Sequence, residues 1–273
     1  MKEYEIYSNL KISQCSRVLL RLDGRSFHSL SKHLNLEKPY DTRFAKVMSE
    51  VCKDILLEFS PSFIYTFSDE ISVLLSTVPF GGRVEKLDSV FSSFVSSSFT
   101  AHLLKEFNIN FNGFNSESSN FNRYANMLNI DSEDEDSLSL SKPISFDSRI
   151  IPIDDSNLVK YFKWRQDEAW RNCVNAYGIW ALKENYPPDV AAEKMFGLKS
   201  SDVHDLLFEQ GINLNDLPAW KKRGLAVYKN IKTIKSFNSK TNKEEISYMK
   251  YPFIDFNIPK FDMEFFKKKQ ILE

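Results

Sequence analysis

Val18-Leu19-Leu20-Arg21-Leu22-Asp23-Gly24-Arg25-Ser26-Phe27-His28 reads as a buried β-strand that runs directly into a short, glycine-containing turn. Val18 to Leu22 is apolar apart from Arg21, a composition suited to a strand covered on both faces, and Gly24 lets the backbone turn sharply and approach a ligand. Asp23 is thereby held at the end of a rigid element. A second strand-like run, Phe63 to Phe67, leads into Ser68-Asp69-Glu70 and then into a third, Ile71 to Leu75. That order predicts a hairpin with its acids at the bend.

Two strand-end acids brought together suit a hard divalent cation, because magnesium prefers one or two carboxylates with waters and phosphate oxygens to an all-protein cage. Arg21, Arg25 and Lys38 have the sign needed to hold those phosphates, and the backbone N–H groups of Gly24 to His28 can add a small anion-binding nest. Taken singly, Asp23 and Asp69 have a simpler explanation as turn residues, since Asp favours strand ends for local hydrogen-bonding reasons.

The combination is more informative than its parts. Arg21-Leu22-Asp23-Gly24-Arg25-Ser26-Phe27-His28, Lys38-Pro39-Tyr40-Asp41 and Ser68-Asp69-Glu70 resemble the signature of the tRNA-histidine guanylyltransferase superfamily, the 3′–5′ polymerases. The resemblance extends to Tyr161–Asn172, Leu206-Leu207-Phe208, Gly211-Ile212-Asn213 and Trp220-Lys221-Lys222-Arg223-Gly224. Enzymes of that family dedicated to histidine tRNA in eukaryotes carry His-Ile-Asn-Asn where this chain has Trp170-Arg171-Asn172-Cys173, and the family usually has Asn at the position of Tyr40. These departures resemble the guanylyltransferase-like branch, associated with template-dependent 5′-end repair or editing.

The chain's 273 residues, 42% of them hydrophobic, suffice for one large domain or a core with an appended lobe. The 23 Phe residues are read mainly as core, although aromatic rings also stack on bases. Cys15, Cys52 and Cys173 are widely separated, which predicts neither a zinc ribbon nor a disulfide framework and fits a reducing compartment. The acid-containing N-terminus lacks the apolar core of a secretory signal, and no run reaches membrane-spanning length. The expected location is therefore cytoplasmic, with a mitochondrial pool left open, and no membrane partner.

A formal net charge of −1 conceals an asymmetry: between Phe107 and Ser145 six acids face two bases. Residues 108–142 are rich in Asn and Ser, end in the acidic run Ser132–Ser137 and lack apolar periodicity, so they are read as a disordered insertion. Helices are expected over Pro39–Phe59, capped by Asp41 or Thr42, over Val84–Phe107 and over Leu158–Lys183, with Phe146–Ile153 as the returning strand. The fold class is α+β, a polymerase-palm or ferredoxin-like βαββαβ core with a mainly helical C-terminal extension. The core takes in 1–107 and 143–156, and a helical and basic region 157–273. Trp164 and Trp170 are read as packing against the sheet, while Arg165, Arg171 and Asn172 are candidate RNA contacts. Lys221, Lys222 and Arg223 form either a phosphate patch or a basic loop.

The resemblance also implies a mechanism. A 5′-monophosphorylated tRNA end is activated with ATP, then the 3′-hydroxyl of an incoming nucleoside triphosphate, GTP among them, attacks and AMP leaves. By matched position Asp23, Asp69 and the Gly24 carbonyl hold two Mg2+ ions, with Glu70 beside them. Gly24, Arg25, Ser26, Phe27, His28, Ser68 and Asp69 line the nucleotide pocket, and Lys38, Arg83 and Lys86 hold triphosphates. His28 is open between a base or sugar contact and a general base. The family also implies a homo-oligomer, a tetramer. Two rival classes are a palm-fold nucleotide cyclase, in which Lys38-Pro39-Tyr40-Asp41 and Trp164-Arg165-Gln166 have no place, and a non-catalytic tRNA-binding protein. Untemplated addition of a single 5′ G is the alternative within the family.

Overall fold

The computed structural model describes residues 4–13, 17–108, 143–238 and 243–272. Cys15 and the acidic segment from 109 to 142 lie outside them. The opening stretch forms β1 (Arg17–Gly24), followed by a short helix α1 (Phe27–His33) that the sequence reading had left inside the turn. The order continues as α2 (Thr42–Phe59), β2 (Phe63–Phe67), β3 (Glu70–Leu74), α3 (Val84–Phe107) and β4 (Phe146–Ile153). Asp41 caps α2, accepting the backbone N–H groups of Arg43 at 2.7 Å and Phe44 at 3.4 Å, which satisfies donors that the first helical turn otherwise orphans.

The remainder comprises α4 (Asp155–Lys183), α5 (Pro188–Met195), α6 (Ser200–Glu209), α7 (Ala219–Arg223), strands β5 (Leu225–Asn238) and β6 (Lys243–Asp255), and α8 (Met263–Lys268). The hairpin β5–β6 was not foreseen. All six strands join one antiparallel sheet in the order β4-β1-β3-β2-β5-β6. Of β5, Leu225, Ala226 and Val227 pair with β2, so the rest of the hairpin runs on past the sheet.

Alternation along β1 assigns its two faces. Val18, Leu20 and Leu22 join Ile64, Ile71 and Val73 against α2 and α3, where Met48, Val51, Phe91 and Phe99 are buried. Leu19 joins Phe63, Tyr65 and Leu74 against Leu158 and Phe162 of α4 and the C-terminal Phe261, Phe265 and Phe266. Buried Gln166 fastens that C-terminal segment, donating to the Pro259 carbonyl at 3.0 Å and accepting from the Phe261 N–H at 2.7 Å.

The tryptophans do not pack on the sheet as expected. Trp164 is 44% exposed, edge-on to Tyr161, and Trp170 lies beside His204 against a satellite cluster around Cys173 and Leu207. Each sits to one side of the stripe Leu158, Phe162, Gln166, Ala169 and Cys173 that α4 buries. Among the described residues, no helix is long and apolar enough to cross a membrane.

Gly224 ends α7 with φ 76° and ψ −169°, a conformation open essentially to glycine, and an added Cβ would overlap the Thr66 carbonyl oxygen and the Tyr65 ring. Replacing Gly224 by Ala is expected to lower the unfolding free energy by at least ~1–3 kcal/mol, read as an earlier urea midpoint at constant slope. A midpoint equal to wild type would refute this close approach.

Candidate active site

Register brings the acids together. Asp23 in β1 lies opposite Glu70 in β3 and Asp147 in β4, so the three carboxylates form a row across the sheet on the face that α4 partly covers. The Gly24 N–H donates to the Asp69 carbonyl at 3.1 Å, tying the end of β1 to the hairpin bend. Like charges directly opposite one another destabilise a strand pair. Arg165 of α4 offsets this: its Nη2 donates to Glu70 Oε2 at 2.7 Å, and its Nε lies 2.7 Å from Oε1 but off the hydrogen-bond line. Its guanidinium also stacks over Trp164 at 4.6 Å.

Asp69 occupies a different environment. The Ser68 hydroxyl donates to it at 3.0 Å, and among the described residues it makes no ion pair. Burial, reinforced by the nearby Asp23 charge and partly offset by its own N–H and Ser68, holds its carboxyl above the ordinary range. Burial also raises Glu70, against the pull of Arg165 and Arg21.

Asp69 opens onto a cleft of about 350 Å³ between α1, α2 and α7. Its apolar floor includes Leu36, Phe44 and Met48, while His28, Ser31, Lys38 and Tyr40 contribute polar atoms and Trp220 and Gly224 close the far side. The Lys38 ammonium donates to Ser31 Oγ at 3.0 Å. Asp41 beneath it accepts the Glu37 N–H at 2.9 Å and pairs with Arg43 at 2.6 Å, fixing the loop that carries Lys38.

Not every predicted residue converges here. Phe27 lines the cleft but its ring is a core element, edge-on to Phe44, Phe99 and Phe146. That ring occupies the space beside Gly24, so the glycine is needed for packing as well as for the turn. Arg25 and Ser26 are exposed at the turn, outside the cleft lining. Two N–H groups of the expected anion nest are committed elsewhere, Gly24 to Asp69 and Arg25 to the Ser145 carbonyl at 2.9 Å.

Arg83 and Lys86 belong to the opposite end of the sheet. Arg83 bridges Lys11 beside the Gly82–Ile12 contact, because β3 crosses the sheet away from the acids before α3 begins. Within one chain that placement separates both from the acid row, contrary to their expected role as triphosphate ligands there. Arg165 is likewise taken by Glu70 and not free for RNA, and Arg171 pairs with Glu168. Asn172 is exposed on the same helix. Lys222 donates to the Asn215 carbonyl at 2.6 Å, Lys221 lies 5.3 Å over the Trp220 ring, and Arg223 lines a separate cavity with Lys163 and Lys260. The sequence reading missed Trp220 and Gly224 as cleft walls; the glycine closing a basic cluster was the available signal. His102 and Ser98 of α3 both hydrogen-bond Asp54 of α2, at 2.8 and 2.7 Å, and this triplet serves as an interhelix tie.

Residues 1–154 match the family model for tRNAHis guanylyltransferase, and residues 156–254 match that of the family's C-terminal domain. The chain belongs to the tRNAHis guanylyltransferase family. This is a family of nucleotidyltransferases. Among its relatives, tRNA(His) guanylyltransferase of Eremothecium gossypii is 28% identical over 82% of this chain and 86% of its own length. That of Saccharomyces cerevisiae is 28% identical over 83% and 87%, and its crystal structure superposes with a TM-score of 0.66 at 26% identity, covering 82% of this chain and 90% of that one. The fold is also shared with a bacterial guanylyltransferase-like protein in complex with ATP, with a TM-score of 0.68 at 23% identity over 99% and 96% of the two chains.

The raised Asp69 pKa has a direct consequence. Folding holds this proton more tightly than the unfolded chain does, so the group's contribution to stability is greatest at low pH and is lost as pH rises through the folded pKa. In metal-free protein, Asp69→Asn should therefore raise the melting temperature at neutral pH. The gap to wild type should shrink as pH falls to about 4, near the ordinary carboxylate pKa. A lower melting temperature at pH 7 would contradict the assignment of burial as the dominant effect.

Proposed function

We propose that this protein extends the 5′ end of tRNA by template-dependent 3′–5′ nucleotide addition, as 5′-end repair or editing. The observation that carries the reading is the juxtaposition of Asp23 and Glu70 on adjacent strand ends, with Asp69 turned into a nucleotide-sized cleft. The succession β1, α2, β2, β3, α3, β4 with strand order β4-β1-β3-β2 supports a palm-like, ferredoxin-like catalytic core. The substrates in this reading are tRNA, ATP and nucleoside triphosphates including GTP. Bacterial guanylyltransferase-like proteins of this fold in complex with ATP and with GTP support that choice.

The donor set fits magnesium. Asp69 and Asp23 lie close enough to repel, and Asp69 has no cationic partner among the described residues, so two carboxylates are left for a hard divalent cation. In this reading Asp23, Asp69 and the Gly24 carbonyl hold two Mg2+ ions, with Glu70 adjacent. When bound, magnesium makes the attacking hydroxyl more acidic and offsets charge on the departing oxygen.

The polypeptide supplies position. The apolar floor receives a base, Lys38 meets phosphate at the rim, and Arg165 holds Glu70 in place from the α4 side. In the first step a 5′-phosphate oxygen attacks the α-phosphorus of ATP and pyrophosphate leaves. In the second the 3′-hydroxyl of the incoming nucleotide attacks the activated 5′ phosphate and AMP leaves. A homo-oligomer, a tetramer by family resemblance, working in the cytoplasm completes the reading. Exposed Ile246, Tyr248 and Met249 on the projecting hairpin support self-association.

Asp23→Ala and Asp69→Ala should each abolish activation and addition while leaving tRNA binding largely intact. Turnover like wild type in either variant would sink the reading. The names of the curated relatives favour a second possibility, untemplated addition of one G. Four tRNAs truncated at the 5′ end, differing only in the opposing base and each offered all four nucleotides, separate the two. Addition of the complementary nucleotide is expected; G added whatever the opposing base would establish the untemplated reaction instead.

A further inference from the structure

At the end of the sheet remote from the acid row, the projecting hairpin, α8 and the turns around β2 enclose a cleft of about 570 Å³. Lys229, Lys250, Lys268 and Lys269 line it together with the hydroxyl-bearing Ser60, Ser62 and Ser76, and no carboxylate is among the lining residues. Lys250 pairs across the hairpin with Ile231, two residues from Lys229, so both lysines project from the same face. Among the described residues none of the four forms an ion pair. The Lys269 ammonium rests 4.7 Å over the Tyr228 ring.

Composition does not explain this arrangement. The chain carries 37 acids against 36 bases, yet four lysines and no acid line this one cleft. Their mutual repulsion is an expense in the free protein that a bound polyanion would remove. Concavity excludes a flat bilayer as the natural partner, whereas phosphodiesters on a curved backbone fit amino groups distributed along two walls. The distance is also suitable. The five residues of β2 separate this end from the acid-bearing bend, a span of about 17 Å at the usual rise per residue, over which a nucleic-acid duplex presents roughly ten phosphates.

We propose that this lysine cleft is a second RNA-backbone site, gripping phosphodiesters of the same tRNA whose 5′ end lies at the acid row. The inference rests on the proposed 5′-end reading for its ligand. Its test is a binding measurement that needs no catalysis. Fluorescence anisotropy in EDTA would compare full-length tRNA with a minihelix cut back to the first few acceptor pairs. In the variant Lys229→Gln/Lys250→Gln/Lys268→Gln/Lys269→Gln the dissociation constant for tRNA should rise at least about tenfold at low salt. The slope of log affinity against log salt should shrink by about three to four, close to one for each of the four lost phosphate contacts. Minihelix affinity should be unchanged.

Unchanged tRNA affinity and slope, or equal weakening of both RNAs, would overturn the proposal. So would vesicles containing phosphatidylserine binding through these lysines while tRNA binding is unaffected. The matching Lys→Arg variant should restore binding. Acetylation of wild-type lysines with and without tRNA provides a readout independent of variant folding: protection of the four is expected, and equal labelling would refute the site. Loss of tRNA binding in a protein that never adds a nucleotide would retain this site and refute only the catalytic reading.

Discussion

The pair between Glu70 and Arg165 is the contact on which the candidate site most depends. Strand register obliges Asp23 and Glu70 to face one another, and two carboxylates so placed repel. A guanidinium from a helix almost a hundred residues later pairs with one of them, donating one hydrogen bond from Nη2 with Nε close by. The pair is largely shielded from solvent, so its desolvation cost is considerable and its net stabilisation modest. Its effect is specific: Glu70 is paired from the α4 side, while Asp23 and Asp69 form no ion pair among the described residues.

That division follows the two faces of the sheet. On one, α2 and α3 bury an aliphatic and aromatic layer that fixes the strand ends but contributes little chemistry. On the other, α4 covers the distal part with Phe162 and brings Tyr161 within 3.0 Å of Ser72, then Arg165 within reach of Glu70. The same helix holds the C-terminal segment through Gln166. Cleft and acid row meet at the hairpin bend, where Asp69 lines the cleft and the adjacent Glu70 belongs to the row.

Legibility in the sequence tracked the locality of the signal. The strands β1 to β3 were readable as short apolar runs bounded by turn residues and β4 as the strand needed to complete the unit, while helices α2 to α4 were readable from their helical pattern, with Asp41 or Thr42 marking the start of α2. The hairpin β5–β6 was missed because Lys229-Asn230-Ile231-Lys232-Thr233-Ile234-Lys235 sets its isoleucines three apart among polar groups and is mostly exposed, so no two-residue period marks it as a strand. Arg83 and Lys86 were misplaced for a topological reason: they follow the acids closely in sequence, but β3 carries the chain across the sheet before they occur. Arg165 looked like an RNA contact because nothing local announces a partner 95 residues away.

Burial also bears on how a nucleotide is selected. In the tetrapeptide Trp170-Arg171-Asn172-Cys173, Cys173 is wholly buried, and desolvation pushes its thiol up to about 12. Trp170 packs beside His204, and Arg171 is engaged by Glu168. Asn172 is then the remaining exposed uncharged polar group of that turn. Base-specific recognition through a buried polar pocket needs several donors and acceptors, each leaving a costly gap when the wrong base enters. A single exposed amide imposes little such penalty, whereas an opposing RNA strand supplies a full complementary edge. The helix turn at which the histidine-tRNA enzymes of the family carry His-Ile-Asn-Asn therefore offers a single exposed amide in this chain, too little for a base-specific pocket of its own.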